Sequence, residues 1–80
     1  MDYYQEARRI AEQLKCEQSP KDAQALQDAI DAGSTGSEIL MALRWHLLRM
    51  DSENSSVSPE TARRIRELAV AISAALGMHA

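Results

Sequence analysis

Apolar residues recur along this chain at the three- and four-residue spacing of helices, and no stretch alternates as a half-buried strand does. Tyr3, Ala7, Ile10, Ala11 and Leu14 share one face of a helix predicted over residues 3–17, with Glu6, Arg9, Glu12 and Gln13 outward. Ala23, Leu26 and Ile30 mark a second helix over 20–32. Ala62, Ile65, Leu68, Ala69, Ile72 and Leu76 mark the last, over 59–76. Between these lies Ile39 to Met50, the longest apolar-rich run and the home of the only tryptophan, which predicts a central helix over 36–51.

The segment ends carry matching signals. Asp2 with Gln5, and Thr35 with Glu38, have capping-box spacing. Ser19-Pro20 and Ser58-Pro59 each pair a capping serine with a proline at the first helical position, where no N–H is wasted. Gly33 supplies a left-handed C-terminal position for the second helix, and Gly77 ends the last. A link as short as Gly33-Ser34-Thr35 leaves its two helices adjacent, either antiparallel or sharply angled. Residues 51–58 are polar and aperiodic, which predicts a flexible loop. The expectation is an all-α fold: one domain over residues 1–80, built as a small four-helix bundle.

The central helix has more apolar surface than one stripe needs. With each residue set about 100° beyond the last, Ile39, Leu40, Leu43, Leu47 and Met50 fall together as a core stripe. Met41, Trp45 and Leu48 form a second strip on the far side. Arg44 and Asp51 separate the two along one edge; Ala42, His46 and Arg49 do so along the other. A helix apolar on two sides is either sandwiched between neighbours, the commoner arrangement, or presents one side to a partner.

Composition narrows the picture. Two valines and no phenylalanine leave a core of Leu, Ile and Ala, which suits close-packed helices. The net charge of −3 is uneven: residues 1–38 carry −4 and residues 39–80 carry +1. An acidic half attracts basic partners, though such imbalance is more often a solvated surface. Cys16 is the sole cysteine, so no internal disulfide forms. No export signal or membrane-length apolar run is present, and the expectation is a soluble, cytoplasmic protein.

Candidate chemistry is sparse. Cys16, His46 and His79 have no metal-ligand spacing, so neither a metal nor another cofactor is expected. No G-x-S-x-G or comparable nucleophile motif occurs, and the chain reads as no enzyme. His46, beside the core stripe, reads as a packing histidine. The second and third segments have the outline of a helix-turn-helix, but Glu38 stands where a groove-facing base belongs and Asp28 and Asp31 precede it. Those carboxylates repel phosphate, which makes nucleic acid an unfavoured partner.

The function expected from these residues is a small acidic protein-binding module. Its most concrete form is an inhibitory or immunity-type bacterial protein that neutralises a partner enzyme or toxin. Met41, Trp45 and Leu48 are the expected apolar anchor. Asp28, Asp31 and Glu38 are the expected complement to a basic partner. The alternatives are a homodimeric structural or regulatory protein and, third, a regulator that touches nucleic acid.

Overall fold

The computed structural model describes residues 2–17, 19–53 and 57–78. These form four helices: α1 (Tyr3–Cys16), α2 (Pro20–Ala32), α3 (Gly36–Glu53) and α4 (Pro59–Ala75), with no strand among the described residues. The all-α four-helix expectation holds. One boundary differs: α3 continues through Glu53, so the first part of the expected 51–58 loop is helical. The end of α3 is held from both sides, with Asp51 paired to Arg66 and Glu53 to Arg49. Residues 54–56 lie outside the described residues. Val57 packs half-buried against the core, and Ser58 caps α4.

Long-range polar contacts give the topology. Arg8 joins the first half of α1 to Gln27 and Asp31 in the second half of α2. Asp22, at the start of α2, meets Arg49 near the end of α3 at 3.3 Å. Both positions stand about three turns from the link, so α2 and α3 fold back as an antiparallel hairpin rather than crossing steeply. Arg66 on α4 reaches Asp51 on α3, and Arg44 on α3 reaches Ser73 on α4, again antiparallel. Each helix packs mainly on two neighbours around a closed ring, α1 to α2 to α3 to α4 and back to α1. No helix is central.

The core is assembled from the predicted stripes. Ala7, Ile10, Ala11 and Leu14 of α1, Ala23 and Leu26 of α2, Leu43, Leu47 and Met50 of α3, and Ile65, Leu68, Ala69 and Ile72 of α4 are all buried. Each large side chain among them contributes about 1.5–3 kcal/mol by leaving water. The radius of gyration, 11.5 Å, is that of a fully packed globule of this length, roughly 2.2·N^0.38 Å.

The caps divide into those that form as predicted and those that do not. Asp2 accepts the Gln5 N–H, Thr35 that of Glu38, and Ser58 that of Thr61. Ser19 makes no side-chain cap bond; Pro20 alone sets the start of α2, while the Ser19 N–H closes back on the Leu14 carbonyl. Gly77, at φ 75°, ends α4 in a Schellman motif, with its N–H on the Ala74 carbonyl and that of Met78 on the Ser73 carbonyl. Gly33 is not left-handed: its backbone is extended, at φ −71° and ψ 141°. The glycine is needed there for space, because a Cβ would collide with the Ile39 side chain.

The carboxylate of Glu17 supplies a cap that neighbouring residues in sequence do not. It accepts the Ser58 N–H and the Thr61 hydroxyl, each at 2.5 Å, and so ties the end of α1 to the start of α4. Thr61 is fully buried. These donors, with Gln13, hold the Glu17 carboxyl down at about 2 against an ordinary 4.5.

Candidate protein-binding surface

The antiparallel ring turns the two apolar sides of α3 to different destinations. Leu43, Leu47 and Met50 enter the core, and Ile39 and Leu40 pack half-buried against it. The opposite side has no helix over it. Met41 is 47%, Trp45 61% and Leu48 41% exposed. The sandwiched arrangement expected for such a helix is therefore not the one adopted. With four helices in a ring, each keeps one outward face, and on α3 that face is the second apolar strip.

A fourth residue joins it. Val70 on α4 is 57% exposed, and it completes the large apolar residues left open among the described residues. The bridges Arg44–Ser73 and Arg66–Asp51 fix the register of α3 against α4, and in that register Leu48 stands level with Ala69 and Val70. Leu48 and Met41 lie just outside the Arg44–Asp51 edge of α3. Val70 lies just outside the Arg66–Ser73 edge of α4. All four thus stand on the outer sides of two neighbouring helices, and open apolar residues grouped in this way mark interaction sites. Sequence reading found three members and missed Val70, because the helical pattern within α4 says nothing of which α3 residue it stands beside.

Polar groups fix the rim. The Arg49 guanidinium lies 5.6 Å from the Trp45 ring centroid and pairs with Asp22 and Glu53. His46 meets the Trp45 ring edge to face, with centroids 5.0 Å apart. The His46 Nδ1 is buried without a hydrogen-bond partner among the described residues. Burial first, then the Arg49 charge, pushes the His46 pKa down, while Asp22 pulls the other way. The neutral form of the ring is thereby favoured, and His46 and Arg49 both contact Trp45. Arg44, half-buried along the α3–α4 seam, donates to the Ser73 hydroxyl at 2.7 Å.

The three acidic candidates do not form one cluster. Glu38 lies one turn before Met41 on the same strip and accepts from Ser34 at 2.8 Å. Asp28 points away from the bundle on α2, hydrogen-bonded by Gln24. Asp31 turns toward α1, where Arg8 takes it as an ion-pair partner.

Other chemistry is thin. Among the described residues no group of three His, Cys, Asp or Glu side chains is placed to hold a metal ion, and no helix is long and apolar enough to cross a membrane. A polar notch of about 70 Å³ lies between Gln13, Glu60, Thr61 and Arg64. A more apolar depression of about 160 Å³ is lined by Asp2, Tyr3, Tyr4 and Leu40. Both fall short of the roughly 300–1,000 Å³ of small-molecule sites. The chain matches no protein-family model, no curated protein and no solved structure.

Proposed function

We propose that this chain is a protein-binding module that engages its partner through the outer face of α3 and α4. One observation carries the reading: Met41, Trp45, Leu48 and Val70, the large apolar side chains left open among the described residues, fall on one two-helix face. Tryptophan and methionine are enriched where protein surfaces meet, and tryptophan is prominent among residues that dominate binding energy. Trp45 is braced by Arg49 and His46, so little rotamer freedom remains to be lost on docking. Within this class the most concrete form is an inhibitory, immunity-type protein acting on a partner enzyme or toxin, which the small size and net charge of −3 support.

Affinity capture from the source cell tests the reading when the wild type is compared with Trp45→Ala, Leu48→Asp and a Lys21→Ala control on the outer face of α2. A partner kept by wild type and control and lost from the other two is expected. The same partner on all four overturns the proposal. Sedimentation covers the homodimer alternative: a dimer that Leu48→Asp splits makes a second copy the occupant of this face.

A further inference from the structure

Nine side chains of this protein are lysine or arginine. Among the described residues, all of them but Lys21 and Arg44 stand in ion pairs with carboxylates. Lys21 is exposed on α2, where water serves it. Arg44 is half-buried in the seam between α3 and α4. Its Nε donates to the Ser73 hydroxyl at 2.7 Å, which holds the guanidinium in place. Its terminal nitrogens have no acceptor among the described residues and are not enclosed. The two other arginines at the border of the apolar face are already answered, Arg66 by Asp51 and Arg49 by Asp22 and Glu53.

Arg44 lies among the open apolar residues. It follows Met41 by three positions and precedes Leu48 by four, so both are its neighbours on α3. Its acceptor Ser73 stands three positions beyond Val70 on α4. A partner that covers Met41, Leu48 and Val70 therefore covers Arg44 as well. Covering it with apolar groups alone would strand a charge away from water, which is costly. A carboxylate instead accepts two parallel bonds from a guanidinium, and the Ser73 bond has already removed part of the side chain's freedom. We infer that the partner of the α3–α4 face is acidic: an apolar protein segment that brings a carboxylate onto Arg44 while its apolar side chains cover Met41, Leu48 and Val70. This rests on the protein-binding reading above and adds the chemistry of the partner. Of the carboxylates expected to meet a basic partner, Asp28 and Asp31 lie on α2 and Glu38 is bonded by Ser34, and none pairs with Arg44. A second copy serves the face poorly. Glu38 is the carboxylate of α3 and α4 that stands outside the ion pairs. In an antiparallel two-fold contact that sets Arg44 against Glu38 of a second copy, Leu48 falls level with residue 34, before α3 begins.

The test uses the whole chain and two synthetic helical peptides with the same leucine face. One carries glutamate at the positions flanking the leucines, and the second carries glutamine there, which keeps the shape and removes the charge. Binding is followed by Trp45 emission. The glutamate peptide binds at least about tenfold more tightly than the glutamine peptide, and added salt narrows the gap. Arg44→Met, which keeps an unbranched stem, brings the two peptides within about twofold of each other. Lys21→Met removes the same charge from α2 and leaves the preference at about tenfold. Circular dichroism checks that both variants are folded, and the two peptides on the wild type decide the matter should Arg44→Met not fold. Equal affinity for the two peptides, including no response of Trp45 to either, overturns the acidic assignment. So does a preference that Arg44→Met keeps, or a dimer of the free protein that Arg44→Met splits. These outcomes leave the binding face standing. Equal binding of the glutamate peptide by wild type and Leu48→Ser overturns the binding face itself.

Discussion

The Arg44 side chain donates from Nε to the Ser73 hydroxyl at 2.7 Å, and Ser73 in turn donates to the Ala69 carbonyl one turn back along α4. With Arg66–Asp51, this contact bridges α3 and α4 in the register that sets Leu48 level with Ala69 and Val70. Ser73 is buried, so Ser73→Ala leaves the half-buried guanidinium short of an acceptor. The expected loss is about 1–2 kcal/mol in urea unfolding, at the low end for a charged donor because Arg44 keeps some access to water. A loss within about 0.3 kcal/mol would mean that packing alone sets the register.

The two faces of α3 give opposite results on substitution. Leu47→Ala empties a fully buried site and costs about 2–4 kcal/mol. Leu48→Ser, one position on but outward, changes stability by no more than about 0.5 kcal/mol. Comparable losses from both, measured by denaturant unfolding, would show that Leu48 is covered within the chain.

Gly33→Ala tests close approach rather than backbone conformation. At φ −71° an alanine is unstrained, so any penalty comes from the clash with Ile39. About 1–2 kcal/mol is expected. In an Ile39→Ala background the same substitution becomes nearly neutral, a non-additivity that a double-mutant cycle reads directly. Additive losses would place the cause elsewhere.

The Glu17 latch makes stability depend on pH in acid. Its carboxyl is held at about 2 in the folded protein against an ordinary 4.5, so the unfolded chain binds the proton more readily. The contribution is complete above about pH 5, shrinks as pH falls through 4.5, and is gone below about pH 2. The stability difference between wild type and Glu17→Gln follows that course. A difference independent of pH between 2 and 6 would show that the carboxylate charge is not what Ser58 and Thr61 hold.

What was legible in the sequence was local. Helix existence, the Asp2, Thr35 and Ser58 caps and the four core stripes follow from spacing within single segments, and the buried residues fall on them. The features that escaped depend on residues far apart in the chain. Glu17 caps a helix that starts 42 positions later, Asp31 is diverted by Arg8, and Val70 gains meaning only beside Leu48. Gly33 shows a subtler failure. A glycine after a helix fits both a left-handed turn and a close contact, and Ile39 decides between them. The second strip of α3 was visible as Met41, Trp45 and Leu48, but whether it is covered depends on helix order. The closed ring leaves it open.

Trp45 reports on the outer face by its own fluorescence, since it is the only tryptophan in the chain. The most direct measurement is its emission and its quenching by acrylamide, first in dilute free protein and then with the captured partner bound. A red-shifted, freely quenched signal that moves to the blue and becomes protected on binding is the predicted result. A blue-shifted, protected Trp45 in the dilute monomer, or a signal unaltered by the bound partner, would contradict the assignment of this face to binding.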